Sequence, residues 1–169
     1  MALLETINLA LSSPSLTDSA LQASKVYLFL IPTTSGGATR EKIVGCVIAQ
    51  RIATAMALAS PDESVVGSSS SRDDARPSSH DIVQIDSTTP LFVQPTPLPT
   101  PMGISRLFVA RSHRRSGIAM KLLSAASETF IHGCKLDPKL GQVAFTQPTR
   151  AGAAVMREWG NGGVRIYEE

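Results

Sequence analysis

The sequence predicts an α/β fold, with a central mixed and twisted sheet flanked by helices. Two observations carry this prediction. Residues 104–110 read as a strand that passes through a short basic turn into an amphipathic helix at residues 117–131. Strand-like and helical segments then alternate to the end of the sequence, as they do in α/β domains. A length of 169 residues and a hydrophobic content of 43% suit a single domain, residues 1–169, with a sizeable core.

The N-terminal part is predicted to contain one helix and a hairpin. Residues 2–11 form a helix that is ended by the Ser-Ser-Pro sequence after it, and residues 25–31 form a strand rich in aromatic and branched side chains. After a turn at residues 35–37, a second strand covers residues 42–54. Because the centre of this second strand is almost continuously apolar, we expect both of its faces to be covered.

Residues 59–101 have a different composition and are predicted to form a long Ser/Pro-rich insertion. A serine tract follows Gly67, and five prolines lie between residues 90 and 101. Such a segment offers too little apolar surface to offset the entropy of ordering it. Only residues 81–85 resemble a strand. We therefore expect a surface insertion that is mobile at its Ser-rich end and extended at its Pro-rich end.

The C-terminal part returns to regular structure at Gly103. In the helix after the basic turn, apolar residues recur every fourth position from Ile118 to Phe130, which predicts one face packed on a sheet. The remaining predicted elements are a strand at residues 142–146, a helix at residues 150–159 and a strand at residues 164–167.

Composition and charge exclude several function classes. A formal charge of +2 is too small to indicate a nucleic-acid surface, and no apolar run approaches the length of a membrane span. Cys46 and Cys134 lie far apart, without a Cys/His cluster of zinc-binding spacing, so we expect no metal site and reduced thiols. Reduced thiols predict an intracellular protein, and the N-terminal residues lack the layout of a signal peptide.

The turn at residues 114–119 carries the most informative motif, Arg-x-x-Gly-x-Ala. Backbone N–H groups between a strand and a helix N-terminus can surround a phosphate, and small residues permit a close approach. The motif resembles the pyrophosphate loop of acetyl-CoA-dependent N-acetyltransferases of the GNAT superfamily. An ordinary helix start with a glycine in its first turn is the alternative interpretation of the same residues.

The strand before this turn and its first polar residue are further candidates. An exposed edge at residues 107–109 would pair with the peptide-like pantetheine arm of acetyl-CoA. Plain core packing is the other interpretation of these residues, and both can hold at once if alternate side chains pack inward. Ser105 opens the strand and is either part of a reaction centre or a serine satisfied by the backbone. None of the three histidines, His80, His113 and His132, is placed like a catalytic base.

Several segments together resemble the cohesin acetyltransferases, the establishment-of-cohesion family. The similarity is dense from Gly103 to Gly152 and patchy from Lys25 to Ile52. It rests on Gly-Ile-Ser-Arg at residues 103–106, on Arg-x-x-Gly-x-Ala, and on Ala-Phe-Thr-Gln-Pro-Thr at residues 144–149. This combination is far more specific than any one of its motifs.

The resemblance implies a GNAT fold and a lysine N-acetyltransferase that modifies the ATPase head of an SMC-type cohesin subunit in the nucleus. It implies no direct nucleic-acid contact. By position, the resemblance implies the following site residues: catalytic Ser105 and Gln147, and, for acetyl-CoA, Leu107, Phe108, Val109, Arg114, Arg115, Ser116, Gly117, Ile118, Ala119, Met120, Thr149, Arg150 and Ala151.

The sequence departs from the family pattern at two points. The family's zinc finger is absent, so the chain resembles the catalytic domain alone. Some members have an aspartate at the position of Gln147, and an amide cannot act as a general base. Two alternatives therefore stay open: a GNAT enzyme for a small amine or another protein, and a catalytically silent module that binds acetyl-CoA.

Overall fold

The computed structural model describes residues 2–35, 37–58, 83–84, 92–146 and 148–168. Its longer elements, in chain order, are α1 (Ala2–Leu11), α2 (Asp18–Gln22), β1 (Ser24–Ser35), β2 (Ala38–Arg51), β3 (Thr54–Leu58), β4 (Val83–Gln84), β5 (Phe92–Pro99), β6 (Met102–Val109), α3 (Ile118–Thr129), β7 (Val143–Phe145), α4 (Arg150–Gly160) and β8 (Arg165–Ile166). Short 3₁₀ turns at Arg111–His113 and Pro138–Leu140 complete these elements.

The described strands form one mixed sheet in the order β1-β2-β6-β7-β8-β3-β5-β4. Strand β7 is parallel to both of its neighbours, β6 and β8, whereas the other pairs are antiparallel. The predicted fold class, a mixed sheet flanked by helices, is confirmed, and so is the hairpin of β1 and β2.

The sheet is covered on two sides by different helices. On one side α3 buries Ile118, Leu122 and Ala126 in the main core. On the other side Ile7 of α1 packs against Cys46 and Ile48 of β2. All six residues 44–49 are buried, which confirms the expectation that both faces of this strand are covered.

Most predicted elements are present, with shifted ends. Helix α1 has the predicted bounds, and α3 and α4 lie within about two residues of theirs. Strand β2 ends at Arg51, earlier than predicted, because a bend at Ile52 and Ala53 separates it from β3. The sequence analysis missed the five-residue helix α2, which Thr17 caps by accepting a hydrogen bond from Ala20 N.

The Pro-rich end of the predicted insertion is extended, as expected, and the structure shows in addition that part of it belongs to the sheet. Residues 92–99 form β5, which pairs with β3, and Val93 and Thr100 are buried. The N–H of Thr100 donates to Ala53 O at 2.9 Å. By the alternation of an antiparallel pair, the nitrogens of Pro97 and Pro99 then point away from β3, so these prolines do not interrupt the hydrogen bonds to β3.

Other parts of the predicted insertion have different outcomes. The strand expected at residues 81–85 is present as the two residues of β4, which pair with β5. Residues 59–82 and 85–91, with the serine tract and His80, lie outside the described residues.

Candidate active site

Strands β6 and β7 run together for only three residue pairs and then separate. Their pairing ends at Ile104 and Phe145, with a last bond from Thr146 N to Ile104 O at 3.1 Å. Beyond this point β6 continues for five residues, to Val109, while β7 has ended. The divergence of two parallel strands at their carboxyl ends opens a cleft, the usual place for a ligand in an α/β sheet.

A small cavity of about 60 Å³ lies where the strands separate. It is lined by Leu11, Ser13, Ile104, Ser105, Arg106, Leu107, Phe145, Thr146, Pro148, Thr149 and Gly152. Three elements therefore meet there: β6, the chain between β7 and α4, and the end of α1.

Ser105 is the extra residue of a β-bulge in β6. The register pairs Ile48 with Arg106 and Ala49 with Ile104, so Ser105 has no opposite residue in β2. Its side chain is 4% exposed, and its hydroxyl donates to Ile48 O at 3.3 Å. Its carbonyl accepts a hydrogen bond from Thr146 Oγ1 at 3.1 Å. Ser105 therefore lies at the cleft and is also satisfied by the backbone, so both interpretations of the sequence describe part of its surroundings.

Beyond the bulge, every second residue of β6 directs its backbone N–H group toward the cleft. The N–H of Ala110 donates to Val44 O at 2.8 Å, which makes positions 106, 108 and 110 the ones that bond to β2. The N–H groups of Leu107 and Val109 consequently face the cleft. We call this side of β6, residues 105–109, the inner edge. Phe108, by contrast, directs its backbone to β2 and its side chain to the α1 cluster.

The basic turn adds a second set of free backbone donors. Arg115 and Gly117 have positive φ values, 63° and 77°, and Gly117 is the N-cap of α3. The first intrahelical bond runs from Lys121 N to Gly117 O, so the N–H groups of residues 117–120 precede the helical ladder. A Cβ atom built on Gly117 meets no atom within 4 Å. The turn is thus an open cradle of donors at a helix N-terminus, suited to an anion.

The side chains of this turn reinforce the cradle with positive charge. Arg111, Arg114 and Arg115 are exposed, and Arg114 Nε donates to Val109 O at 3.3 Å at the end of the inner edge. The hydroxyl of Ser116 donates to His113 O at 2.5 Å and so closes the turn. Of the predicted residues that follow, Ile118 is buried in the core and can contribute only its backbone, whereas Ala119 and Met120 are half-buried.

The third group of predicted residues lies at the start of α4. Thr149 is the N-cap and accepts a hydrogen bond from Gly152 N at 3.2 Å. Arg150 and Ala151 are exposed in the first turn of the helix. Gln147, the second predicted catalytic residue, lies outside the described residues.

The sequence analysis missed the residues that α1 and its neighbours contribute to the cleft. Leu11 and Ser13 line the cavity from the N-terminal side, and the buried Arg106 lies beside them. Nothing in the local pattern places residues 11–13 near β6. The charge of Arg106 within an otherwise apolar strand was the one available signal.

Outside the cleft and the basic turn, the described residues offer few groups for catalysis or metal binding. Burial raises the pKa of the Cys46 thiol to about 11, so this thiol is inert near neutral pH. The described residues contain no group of three or more His, Cys, Asp or Glu side chains placed to hold a metal ion. Within the same part of the chain, no helix has the length and apolar character that crossing a membrane requires.

Comparison with solved structures identifies the fold. A structure of the xEco2 acetyltransferase domain bound to a CoA conjugate matches 99% of this chain and 82% of its own, with a TM-score of 0.69 and 22% identity. A second structure of the xEco2 acetyltransferase domain gives a TM-score of 0.68 at 24% identity, over 99% of this chain and 80% of its own. The protein therefore has the fold of a GNAT-type acetyltransferase domain.

Comparison with known sequences adds information on the family to the information on the fold. The family model described as ESCO1/2 acetyl-transferase matches residues 98–167. The N-acetyltransferase ECO1 of Yarrowia lipolytica is 46% identical over 71 residues, 42% of this chain, and the N-acetyltransferase eso1 of Schizosaccharomyces pombe is 29% identical over 156 residues, 92% of this chain. Residues 98–167 are similar to the ESCO1/2 acetyltransferase family, which confirms the resemblance found in the sequence. The chain spans 25% of the first relative and 15% of the second.

Proposed function

We propose that this chain is an acetyl-CoA-dependent lysine N-acetyltransferase that modifies the ATPase head of an SMC-type cohesin subunit in the nucleus. One observation carries the proposal: the inner edge of β6 leads, through the short 3₁₀ turn at Arg111–His113, into the open cradle at Gly117. A strand edge and an anion cradle in series match acetyl-CoA, which has a peptide-like arm joined to a pyrophosphate.

The residues of the chain fit this cosubstrate at both ends. The N–H groups at the start of α3 and the exposed Arg114 and Arg115 would hold the pyrophosphate through charge-assisted hydrogen bonds. The open space at Gly117 leaves room for a phosphate to approach the backbone closely. The N–H groups of Leu107 and Val109 would pair with the pantetheine arm as an added strand does. Its thioester would then lie at the cleft between β6 and β7.

The reaction is a direct acyl transfer. The neutral Nζ of the acceptor lysine forms a bond to the thioester carbonyl carbon, the carbon–sulfur bond breaks, and the sulfur leaves with the electron pair. An N–H of the inner edge, near Val109, would stabilise the oxyanion formed on the way. Most of the acceleration would come from holding the two substrates together in the cleft.

The transfer also requires removal of a proton from the amine. Gln147 has an amide, which cannot accept a proton as a base. The hydroxyl of Ser105 lies at the cleft and is tied to Ile48 O, so it can orient the amine or pass its proton to water. A hydroxyl is too weak a base to take the proton unaided.

Two other functions use the same fold. A small amine or another protein could be the acceptor, and the missing carboxylate at Gln147 favours a module that binds acetyl-CoA without turnover. Mass spectrometry of a purified SMC-type head, incubated with this chain and acetyl-CoA, tests all three. We expect acetylation of lysine on the head and none without acetyl-CoA. Acetylation of free amines alone would favour the second function, and binding without any turnover the third.

A further inference from the structure

The guanidinium of Arg106 joins the inner edge to the N-terminal part of the chain. The side chain is 4% exposed. Its Nε donates to Asn8 Oδ1 of α1 at 3.3 Å, and its Nη2 donates to Pro14 O, just beyond α1, at 2.8 Å. Its Nη1 donates back to Ser105 O at 2.7 Å, on the bulge of β6. One planar group thus connects two points of the N-terminal segment to the bulge of β6, more than ninety positions away in the sequence.

The segment that Arg106 holds forms one wall of the cleft. Helix α1 ends with Ser12 in a left-handed conformation, φ 53°, and with a bond from Ser13 N to Asn8 O at 2.9 Å. A serine at this position costs about 1 kcal/mol of strain relative to glycine, so the turn needs support from its surroundings. Leu11 and Ser13, on either side of Ser12, line the cavity opposite β6.

We infer that Arg106 is a positioning residue for the acceptor: it sets the distance between the wall at Leu11 and Ser13 and the reacting centre at Ser105. This inference rests on the proposed function. Acetyl-CoA would bind along Leu107 to Val109 and the turn at Gly117, which do not depend on this wall. The acceptor lysine must enter the cleft past the wall, so its placement depends on the contacts of Arg106.

Arginine is the side chain that this connection requires. Its rigid fork donates in several directions at once, and each direction meets a fixed acceptor here. Lysine would keep the positive charge but has a single nitrogen, which cannot reach Asn8, Ser105 and Pro14 together. Replacement by lysine therefore removes the geometry and retains the charge.

The test is the kinetics of Arg106→Lys on a purified SMC-type head as acceptor, with calorimetry of acetyl-CoA binding alongside. We expect kcat/KM for the head to fall roughly 10- to 100-fold, because small misplacements at a reacting centre have effects of this size. The Kd for acetyl-CoA should stay within about twofold. Arg165→Lys is the matched control, since Arg165 also donates to a carbonyl and a hydroxyl, those of Pro99 and Thr100, away from the cleft.

Asn8 provides variants that keep the experiment decisive if Arg106→Lys does not fold. Asn8→Leu retains a helix former but removes the acceptor oxygen, and should lower kcat/KM for the head in the same direction by a smaller factor. Asn8→Asp retains an acceptor oxygen, so its kcat/KM for the head should be close to that of the wild type. Unchanged kcat/KM in Arg106→Lys, or in Asn8→Leu, overturns the inference, as does an equal loss in Arg165→Lys. If the wild-type chain does not acetylate the head, the proposed function fails instead.

Discussion

Strands β5 and β6 follow one another in the chain, and among the described residues each has one side without a strand partner over much of its length. On β5 that side carries the nitrogens of Pro97 and Pro99, beyond the two residues that pair with β4. On β6 it carries the N–H groups of Leu107 and Val109, beyond the last pairing with β7. At Pro97 and Pro99 β5 thus presents nitrogens that cannot donate, whereas β6 presents N–H groups at Leu107 and Val109.

The difference shows which edge of a sheet an extended ligand can pair with as an added strand. An edge rich in N–H groups is a template for any peptide-like chain, and prolines remove that template without disturbing the paired side. In this protein the unblocked edge is the one that ends at the anion cradle. The comparison therefore predicts that backbone donors, more than side chains, determine acetyl-CoA binding.

The largest expected effect comes from closing the cradle at the end of the inner edge. Gly117→Asp would place a negative charge against the phosphates, and the affinity for acetyl-CoA should fall roughly 100-fold or more, since charge-assisted bonds contribute about 1.5–3 kcal/mol each. Gly117→Asn is the matched control, because it has the same shape and the same strain at a φ of 77° without the charge. Calorimetry with equal affinities for the two variants would contradict the cradle as the phosphate site.

The next effect tests the bulge at the start of the inner edge. If Ser105 orients the amine or relays its proton, Ser105→Ala should lower kcat roughly 100-fold and leave the Kd for acetyl-CoA close to that of the wild type. Ser127→Ala is the control, because Ser127 is also 4% exposed and donates to a main-chain oxygen, that of Ser124, away from the cleft. Full turnover in Ser105→Ala would make the serine purely structural.

A smaller effect compares the two sides of β5. Leu98→Pro removes an N–H that faces β3, and should lower Tm by roughly 5 °C, since an unsatisfied partner costs about 1–3 kcal/mol. Leu98→Ala separates the loss of the side chain from the loss of the N–H. Pro97→Ala changes the opposite side and should shift Tm by less than about 2 °C. Thermal unfolding with equal losses in Leu98→Pro and Leu98→Ala would refute the assigned direction of these N–H groups.

The smallest effect concerns the paired side of β6, where Phe108 lies opposite Cys46. A thiol reagent at pH 8 should label the exposed Cys134 and leave Cys46 unlabelled until the protein unfolds. Because burial raises the pKa of Cys46 from 9.0 to about 11, the unfolded chain loses this proton first, and stability should fall between pH 9 and 11. Cys46→Val should lose this alkaline dependence. Rapid labelling of both thiols in the native protein would show that this side of β6 opens.

The sequence was sufficient where local patterns decide the structure. The strand, basic turn and helix around Gly117 could be predicted because apolar periodicity and a glycine at a helix start are local signals. The proline-rich strand β5 could not, since composition does not reveal that the nitrogens of Pro97 and Pro99 both face away from β3. The wall at Leu11 and Ser13 was missed for a related reason: its contact with Arg106 joins residues more than ninety positions apart.

The bulge at Ser105 fixes the phase of the inner edge. Before it, the backbone groups of Ile104 bond to β7, and after it those of Leu107 and Val109 face the cleft while Arg106 and Phe108 bond to β2. Because Ser105 is the extra residue, deleting it would restore a regular ladder and leave the donors of Leu107 and Val109 directed to the cleft. Pairing Ser105 with a residue of β2 would instead exchange the two sets, so these donors would turn toward β2 and the aliphatic side chains toward α1. The bulge therefore lets this strand hold one additional residue without reversing which of its sides faces the cleft.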